Sequence, residues 1–363
     1  MRKSIIIAGG GTGGHLFPAL AIGDAYKKRF PNSAIHFVGS RFGLEARILP
    51  ENERPHTLLS IRGFMRGYTI TALARNLLFP LRFCVAYFKS RRLLKRLSPV
   101  AVIGTGGYAS GLPLLAAIHK GIPTVIHEQN SYPGVTTRWL SSRVNTVCIS
   151  YEDARRHLKK KSGVVTGNPV REEIVSGDRT EALRNFGLSE RLPVVGLLGG
   201  SQGALTLNRA MKRALEKMTD VQIVWQAGSI HQNQFAIHEN ERVKVLPFVD
   251  DMGAFYAAAD VVISRAGALA LAEIAACGKP SLLVPFAGAA GDHQSKNAES
   301  LRATGAAVVV DERELTGDRL ADEVMGLLSD KSRLNHMSIA ARSVAKPDAA
   351  VQIVEEIEVN AET

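Results

Sequence analysis

Two kinds of periodicity alternate along the chain. Ile5, Ile6 and Ile7 form a β-branched run suited to a strand buried on both faces. After a glycine loop, Leu16, Ala19, Leu20 and Gly23 recur at the i, i+3, i+4, i+7 spacing of a helix face. The same unit of strand, glycine loop and helix returns in "PVVGLLGGSQGALTLNRAMKRALEKM", where Leu207, Met211, Ala214, Leu215 and Met218 keep helical spacing. Further apolar runs follow each unit. They are "SAIHFVG", "VAVIGTGG", "PTVIHEQN" and "TVCIS" after the first, then "VQIVWQAG", "VKVLPFV", "DVVISRAG", "SLLVPF" and "AAVVV" after the second. Strands that alternate with helical stretches predict parallel sheets joined by right-handed crossovers. The chain therefore reads as two α/β, Rossmann-like domains, and 363 residues suit two cores better than one. Gly167, Asn168 and Pro169 punctuate the pattern near "VVTGNPVREE", which puts the expected domains at 1–167 and 168–346. Residues 347–363 predict a short amphipathic helix whose pattern fits packing on either domain.

Composition narrows the setting. With 45% hydrophobic residues and no long low-complexity tract, the chain should be globular throughout. Its apolar runs fall far short of the roughly 20 residues that span a bilayer, and "MRKSIIIAGGG" breaks into glycine before a signal-peptide core develops. A cytoplasmic location is expected. Cys84, Cys148 and Cys277 lack metal-ligand spacing and are expected to be buried free thiols. The net charge of +11 asks for an acidic partner. Nucleic acid is disfavoured, because aromatics make up only 6% and do not interleave with the basic residues. An anionic membrane surface suits residues 61–99 better, a stretch without any acidic side chain. There Leu78, Phe79, Leu81, Arg82, Tyr87 and Phe88 are the candidate membrane-facing residues, with Arg91, Arg92, Lys95 and Arg96 beyond them. The alternative is a core helix with a solvated basic face.

The first glycine loop has the form of a phosphate site, since glycines admit close approach and a helix N-terminus offers N–H groups. A P-loop would need Lys and then Ser or Thr after the last glycine, but Gly14 is followed by His15 and Leu16. A dinucleotide site would need an acid at the end of the next strand, which instead closes in Gly39 and Ser40. In the second half, "DVVISRAGALALAEIAACGKP" predicts a strand, a turn and a nearly all-apolar helix, with Glu273 as its one carboxylate. Glu273 lies six residues after Gly267, about 9 Å along a helix axis, which is the reach from a diphosphate at the helix start to an attached ribose. A carboxylate accepting two ribose hydroxyls fits that position, and a salt-bridged surface Glu is the alternative.

These residues carry a resemblance. The chain resembles the MurG family of glycosyltransferases in "GGTGGH" (10–15), "GTGGYASG" (104–111), "HEQN" (127–130), "GNPVR" (167–171), "GGSQGA" (199–204), "RAGALALAE" (265–273) and "DHQSKNA" (292–298). The resemblance implies a GT-B fold, two Rossmann-like domains with parallel sheets facing a central cleft, and a last helix returned to the N-terminal domain. It implies an inverting transfer of N-acetylglucosamine from UDP-N-acetylglucosamine to the C4 hydroxyl of undecaprenyl-pyrophosphoryl-N-acetylmuramyl-pentapeptide. That step belongs to peptidoglycan synthesis, at the cytoplasmic face of the bacterial membrane.

By the same resemblance, Phe248 and Val249 border the uracil and Glu273 meets the ribose. Ser201, Gln202 and Gly203, with Ala268, Leu269 and Ala270, approach the donor diphosphate, and Arg171 adds charge. Ala270 often carries a hydroxyl in relatives, so any phosphate contact there is through the backbone. Gln294, Asn297 and Asn130 read the sugar. Thr12, Gly13 and Gly14 serve the acceptor's diphosphate and count among the donor-binding residues too. Tyr108, His127 and Glu128 lie on the acceptor side. His15 is the candidate base, with a phosphate or loop hydrogen bond as its alternative role. No metal or other cofactor is expected, since no Asp-x-Asp occurs in the chain. Other readings are a different GT-B enzyme, either a lipid glycosyltransferase or a UDP-sugar epimerase, and a nonenzymatic membrane-docking protein that retains nucleotide-sugar binding.

Overall fold

The computed structural model describes residues 4–63, 77–159, 163–200 and 203–362. They fall into two compact units, Met1–Pro169 with Asp348–Thr363, and Val170–Pro347. The first holds β1 (Ser4–Gly9), β2 (Ala34–Ser40), β3 (His56–Leu59), β4 (Ala101–Gly106), β5 (Thr124–Glu128), β6 (Thr146–Ile149) and β7 (Gly163–Val165). These strands are parallel in the order β3-β2-β1-β4-β5-β6-β7. The second holds β8 (Val194–Leu198), β9 (Gln222–Gln226), β10 (Val243–Leu246), β11 (Val261–Ser264), β12 (Ser281–Leu283) and β13 (Ala307–Val309). These too are parallel, ordered β10-β9-β8-β11-β12-β13.

In both sheets the chain runs outward to one edge and then returns to build the other side. The order reverses between β1 and β4 in one and between β8 and β11 in the other. Loops at the carboxyl ends of such strand pairs diverge and leave room for a ligand. All four glycine motifs, after β1, β4, β8 and β11, fall at these two points. The sequence pattern did not predict β3 or β7, which are four- and three-residue strands at the sheet edges.

Burial follows the pleat. Ile5 and Ile7 pack on one face with Leu20 and Ile22, while Ile6 and Ala8 pack on the other with Leu93, Leu94 and Leu112. The helix Ala349–Glu362 covers the first of these faces with Ile353, Val354 and Ile357, beside the helix Gly13–Arg29. Arg29 pairs with Glu358 at 2.7 Å across them.

Several helices of the second unit are capped by their own side chains, as Asp178, Asp251, Thr316 and Asp330 accept from Glu181, Ala254, Arg319 and Arg333 amides. The helices Gly13–Arg29, Leu205–Ala214 and Ala268–Ala276, each entered from a glycine motif, have no side-chain cap. Their first amides can serve an anion. One cysteine departs from expectation. Cys148 is buried and Cys277 half-buried, but Cys84 is exposed, because it lies on the outer side of the helix Phe79–Leu97.

Candidate functional site

In the first unit the loop after β1 is held from below by Glu45. Its carboxylate accepts from the Gly11 amide at 2.8 Å and the Ser40 amide at 2.7 Å, and the residue is 0% exposed. A Cβ at Gly10, Gly39 or Gly43 would overlap this side chain, so three glycines make the space for one carboxylate. No acid stands at the end of β2, which closes in Ser40, but Glu45 lies five residues further on. A lone Glu just after Gly39 and Gly43, in "GLEARIL", was the available signal.

Thr12 is exposed, and Gly13, Gly14 and His15 are half-buried. The His15 ring lies against the loop after β4, where a Cβ on Gly106 (φ +100°) would come within 2.6 Å of Nδ1. That Nδ1 is 3.1 Å from the Thr105 carbonyl oxygen and 3.0 Å from Gln129 Oε1, while Thr105 Oγ1 donates to the His15 carbonyl at 2.7 Å. Tyr108 opens the next helix with its ring exposed beside Gly63.

His127 and Glu128 turn inward. His127 is fully buried with Nε2 3.0 Å from the Gly167 carbonyl oxygen, and burial pushes its pKa down to about 4. Glu128 closes its own loop, accepting from Asn130 N at 3.2 Å, Asn130 Nδ2 at 3.3 Å and Gly134 N at 3.0 Å. Both side chains support the segment that carries Gln129 and Asn130.

In the second unit Glu273 is buried on the helix Ala268–Ala276, at 6% exposure. The Tyr256 hydroxyl donates to its Oε2 at 3.0 Å. Burial pushes the Glu273 pKa up to about 7, against the Tyr256 bond and the positive charge of Arg171, which both favour the carboxylate. Burial and the neighbouring carboxylate raise the Tyr256 hydroxyl well above its ordinary value and keep it a donor. Arg171, at the start of a short helix, pairs with Glu173 at 2.7 Å. Ala268 is buried, Leu269 and Ala270 are half-buried, and a Cβ on Gly267 would meet open space.

The Gln294 amide oxygen accepts from the Phe286 amide at 3.0 Å, and buried Asn297 donates to the Ala266 carbonyl at 3.4 Å. Phe248 is half-buried and Val249 buried. Ser201 and Gln202 lie outside the described residues; beside them Gly203 adopts φ +78° and Gln226 Nε2 holds the Gly200 carbonyl at 2.7 Å. Sequence reasoning also missed an ion pair between Arg265 and Glu312 that steadies the turn before Gly267. Arg265 donates to the Val284 and Pro285 carbonyls as well.

The helix Phe79–Leu97 buries Ala86, Ser90, Leu93 and Leu94 and leaves Leu81, Val85 and Phe88 exposed at 64, 54 and 64%. Leu77 and Leu78, just before it, are exposed too. Tyr87 differs from the expected outward set: its hydroxyl bonds His119 Nδ1 at 2.7 Å and its ring packs against the core, one residue round from Phe88. Phe79 and Arg82 are half-buried, and Lys89, Arg91, Arg92, Lys95 and Arg96 are exposed. Among the described residues no helix is long and apolar enough to cross a membrane.

The glycosyltransferase family 28 N-terminal domain matches residues 5–149, and the family 28 C-terminal domain matches residues 194–353. A UDP-N-acetylglucosamine--N-acetylmuramyl-(pentapeptide) pyrophosphoryl-undecaprenol N-acetylglucosamine transferase of Christiangramia forsetii is 40% identical over 98% of this chain and 96% of its own. The enzyme of the same name from Lactiplantibacillus plantarum is 38% identical over 98% of both chains. Among solved structures, Acinetobacter baumannii MurG is similar with a TM-score of 0.74 and 29% identity over 99% of this chain and 100% of its own. A UDP-N-acetylglucosamine 2-epimerase shares the fold at 16% identity, with a TM-score of 0.63 over 98% of this chain and 95% of its own.

Proposed function

Because the chain belongs to glycosyltransferase family 28, in the MurG branch, we infer that it moves N-acetylglucosamine from UDP-N-acetylglucosamine to lipid-linked N-acetylmuramyl-pentapeptide. One observation carries this reading: end-to-end similarity, at 38–40% identity, to relatives that bear this activity in their names. The GT-B pair of parallel sheets, with glycine motifs at both strand-order reversals, supports it.

The chemistry follows from the groups available. The acceptor's C4 hydroxyl attacks C1 of N-acetylglucosamine, the new C1–O bond forms on one face, and UDP leaves from the other with the bonding electron pair. His15 Nε2 takes the hydroxyl proton, since Nδ1 is already engaged with two oxygen acceptors. The helix starts at Ala204 and Gly267, with Arg171, offset charge that develops on the leaving diphosphate. Glu273 accepts the ribose hydroxyls. Thr12, Gly13 and Gly14, at the uncapped start of the first helix, receive the acceptor's diphosphate.

Membrane attachment belongs to the same proposal. Leu78, Leu81, Val85 and Phe88 recur at helical spacing with cationic side chains beside them, which suits a peripheral seat on an anionic cytoplasmic leaflet. Each cation near such a surface contributes about 1 kcal/mol. The activity is tested by incubating the protein with labelled UDP-N-acetylglucosamine, the lipid-linked acceptor and EDTA. Label in the lipid fraction as a β-linked disaccharide is expected; free epimerised sugar nucleotide, or no transfer from a sample that binds UDP, would refute the assignment.

A further inference from the structure

The hydrogen bonds around His15 form one chain whose polarity two backbone carbonyls dictate. The Thr105 carbonyl oxygen can only accept, and it lies 3.1 Å from His15 Nδ1 and 2.8 Å from Gln129 Nε2. The hydrogen of His15 is therefore on Nδ1, and the NH2 end of the Gln129 amide faces Thr105. A flipped amide would set two oxygens against each other. With that orientation fixed, Gln129 Oε1 accepts from His15 Nδ1 at 3.0 Å, and the NH2 group also reaches His127 Nδ1 at 2.9 Å.

The Gly167 carbonyl oxygen can only accept, and it lies 3.0 Å from His127 Nε2, so this neutral ring carries its hydrogen on Nε2 and turns the Nδ1 lone pair to the Gln129 NH2 group, which also lies 3.2 Å from the His127 carbonyl oxygen. Ser150 agrees with this assignment. Its hydroxyl donates to the Glu128 carbonyl at 3.0 Å and leaves its oxygen to face His127 Nε2 at 3.2 Å. The backbone is tied as firmly, since Asn168 Nδ2 donates to the Gln129 carbonyl at 3.1 Å. Gln129 itself is 2% exposed.

Resting on the reading of His15 as the base, we propose that Gln129 is a positioning residue that holds His15 in its Nδ1-protonated tautomer through a relay from His15 to Gln129, His127 and Gly167. The relay leaves Nε2 with a lone pair and without a partner among the described residues. Free neutral imidazole favours the opposite tautomer, which would put a hydrogen where the base needs a lone pair. An amide oxygen orients the ring without placing a charge beside it, unlike the carboxylate of a Ser-His-Asp triad. His127 fits its place because burial keeps it neutral, and a neutral ring can accept on one nitrogen and donate on the other.

The test is a 15N spectrum of the histidine-labelled full chain at about pH 8, where an ordinary imidazole is neutral. His15 signals are identified by their loss in His15→Gln. A protonated Nδ1 and an unprotonated Nε2 are expected. A protonated Nε2 at His15 overturns the relay, whatever any variant does. Gln129→Met keeps the side-chain length and removes both hydrogen-bonding ends. It should mix the tautomers and lower kcat about tenfold or more, with the donor KM within about twofold. A Gln129→Met protein with the original His15 spectrum and turnover would also overturn it. Turnover surviving His15→Gln would instead remove His15 as base and leave the tautomer result standing on its own.

Discussion

If Glu273 accepts the ribose hydroxyls, donor binding must be coupled to a proton. The carboxylate form is the acceptor, yet burial lifts the Glu273 pKa to about 7. Between pH 8 and pH 6 the ionised fraction falls from about nine-tenths to about one-tenth, so affinity for the donor should fall about tenfold, or about 1.4 kcal/mol. UDP-N-acetylglucosamine is the ligand to use, because its diphosphate diester does not titrate in this range. Isothermal titration in two buffers of different ionisation enthalpy should show nearly one proton released per donor bound at pH 6 and little at pH 8.

Glu273→Gln should abolish the proton release and flatten the pH profile. Tyr256→Phe removes the donor that favours the carboxylate, and should move the loss of affinity to higher pH. The same linkage acts on folding. The folded chain keeps this proton to about pH 7 against 4.5 for the ordinary carboxyl, so stability falls as pH rises between those values, and Glu273→Gln should blunt that fall. Donor affinity independent of pH from 6 to 8, or a pH dependence that survives Glu273→Gln, would refute the coupling.

Three other outcomes follow from the site. Glu45→Gln sets an NH2 group against one of two backbone N–H donors, so denaturant unfolding should show a loss of about 2–4 kcal/mol, on the scale of one charge-assisted hydrogen bond plus an orphaned amide. Equal stability would mean the loop does not depend on this strut. Replacing Leu81, Val85 and Phe88 together with Ser should weaken co-sedimentation with anionic vesicles while leaving turnover on a water-soluble acceptor unchanged; undiminished co-sedimentation would move the docking surface elsewhere. His15→Gln should lower kcat by about 10²–10⁴ with the donor KM little changed, measured in the transfer assay.

The glycine motifs were legible because each interrupts an apolar run and precedes a helical one. That places them at strand ends without any knowledge of strand order. The burial of Glu273 was legible for a similar local reason, since Ala272, Ile274, Ala275 and Ala276 surround it in sequence. Its partner Tyr256 was not, because "GAFYAAAD" reads as an apolar helix and gives no sign of which hydroxyl meets which carboxylate. His15 was conspicuous, but the groups that set its chemistry come from 90 and 114 residues away. The strands β3 and β7 were invisible because a short edge strand needs neither alternation nor a long apolar run. Composition grouped Tyr87 with Phe88, although neighbours on a helix point about 100° apart, and Tyr87 is the one of the pair whose ring turns toward the core.

The helix Ala349–Glu362 gives the order of synthesis a structural meaning. The ribosome delivers all seven strands of the first sheet well before Ile353, Val354 and Ile357, so the face that the helix Gly13–Arg29 covers only in part waits incomplete while the whole second unit is made. The second unit is in effect an insertion within the first, and the first closes its core only with residues that follow the second. A truncation that removes this helix should therefore injure the unit at the opposite end of the sequence and spare the one it adjoins.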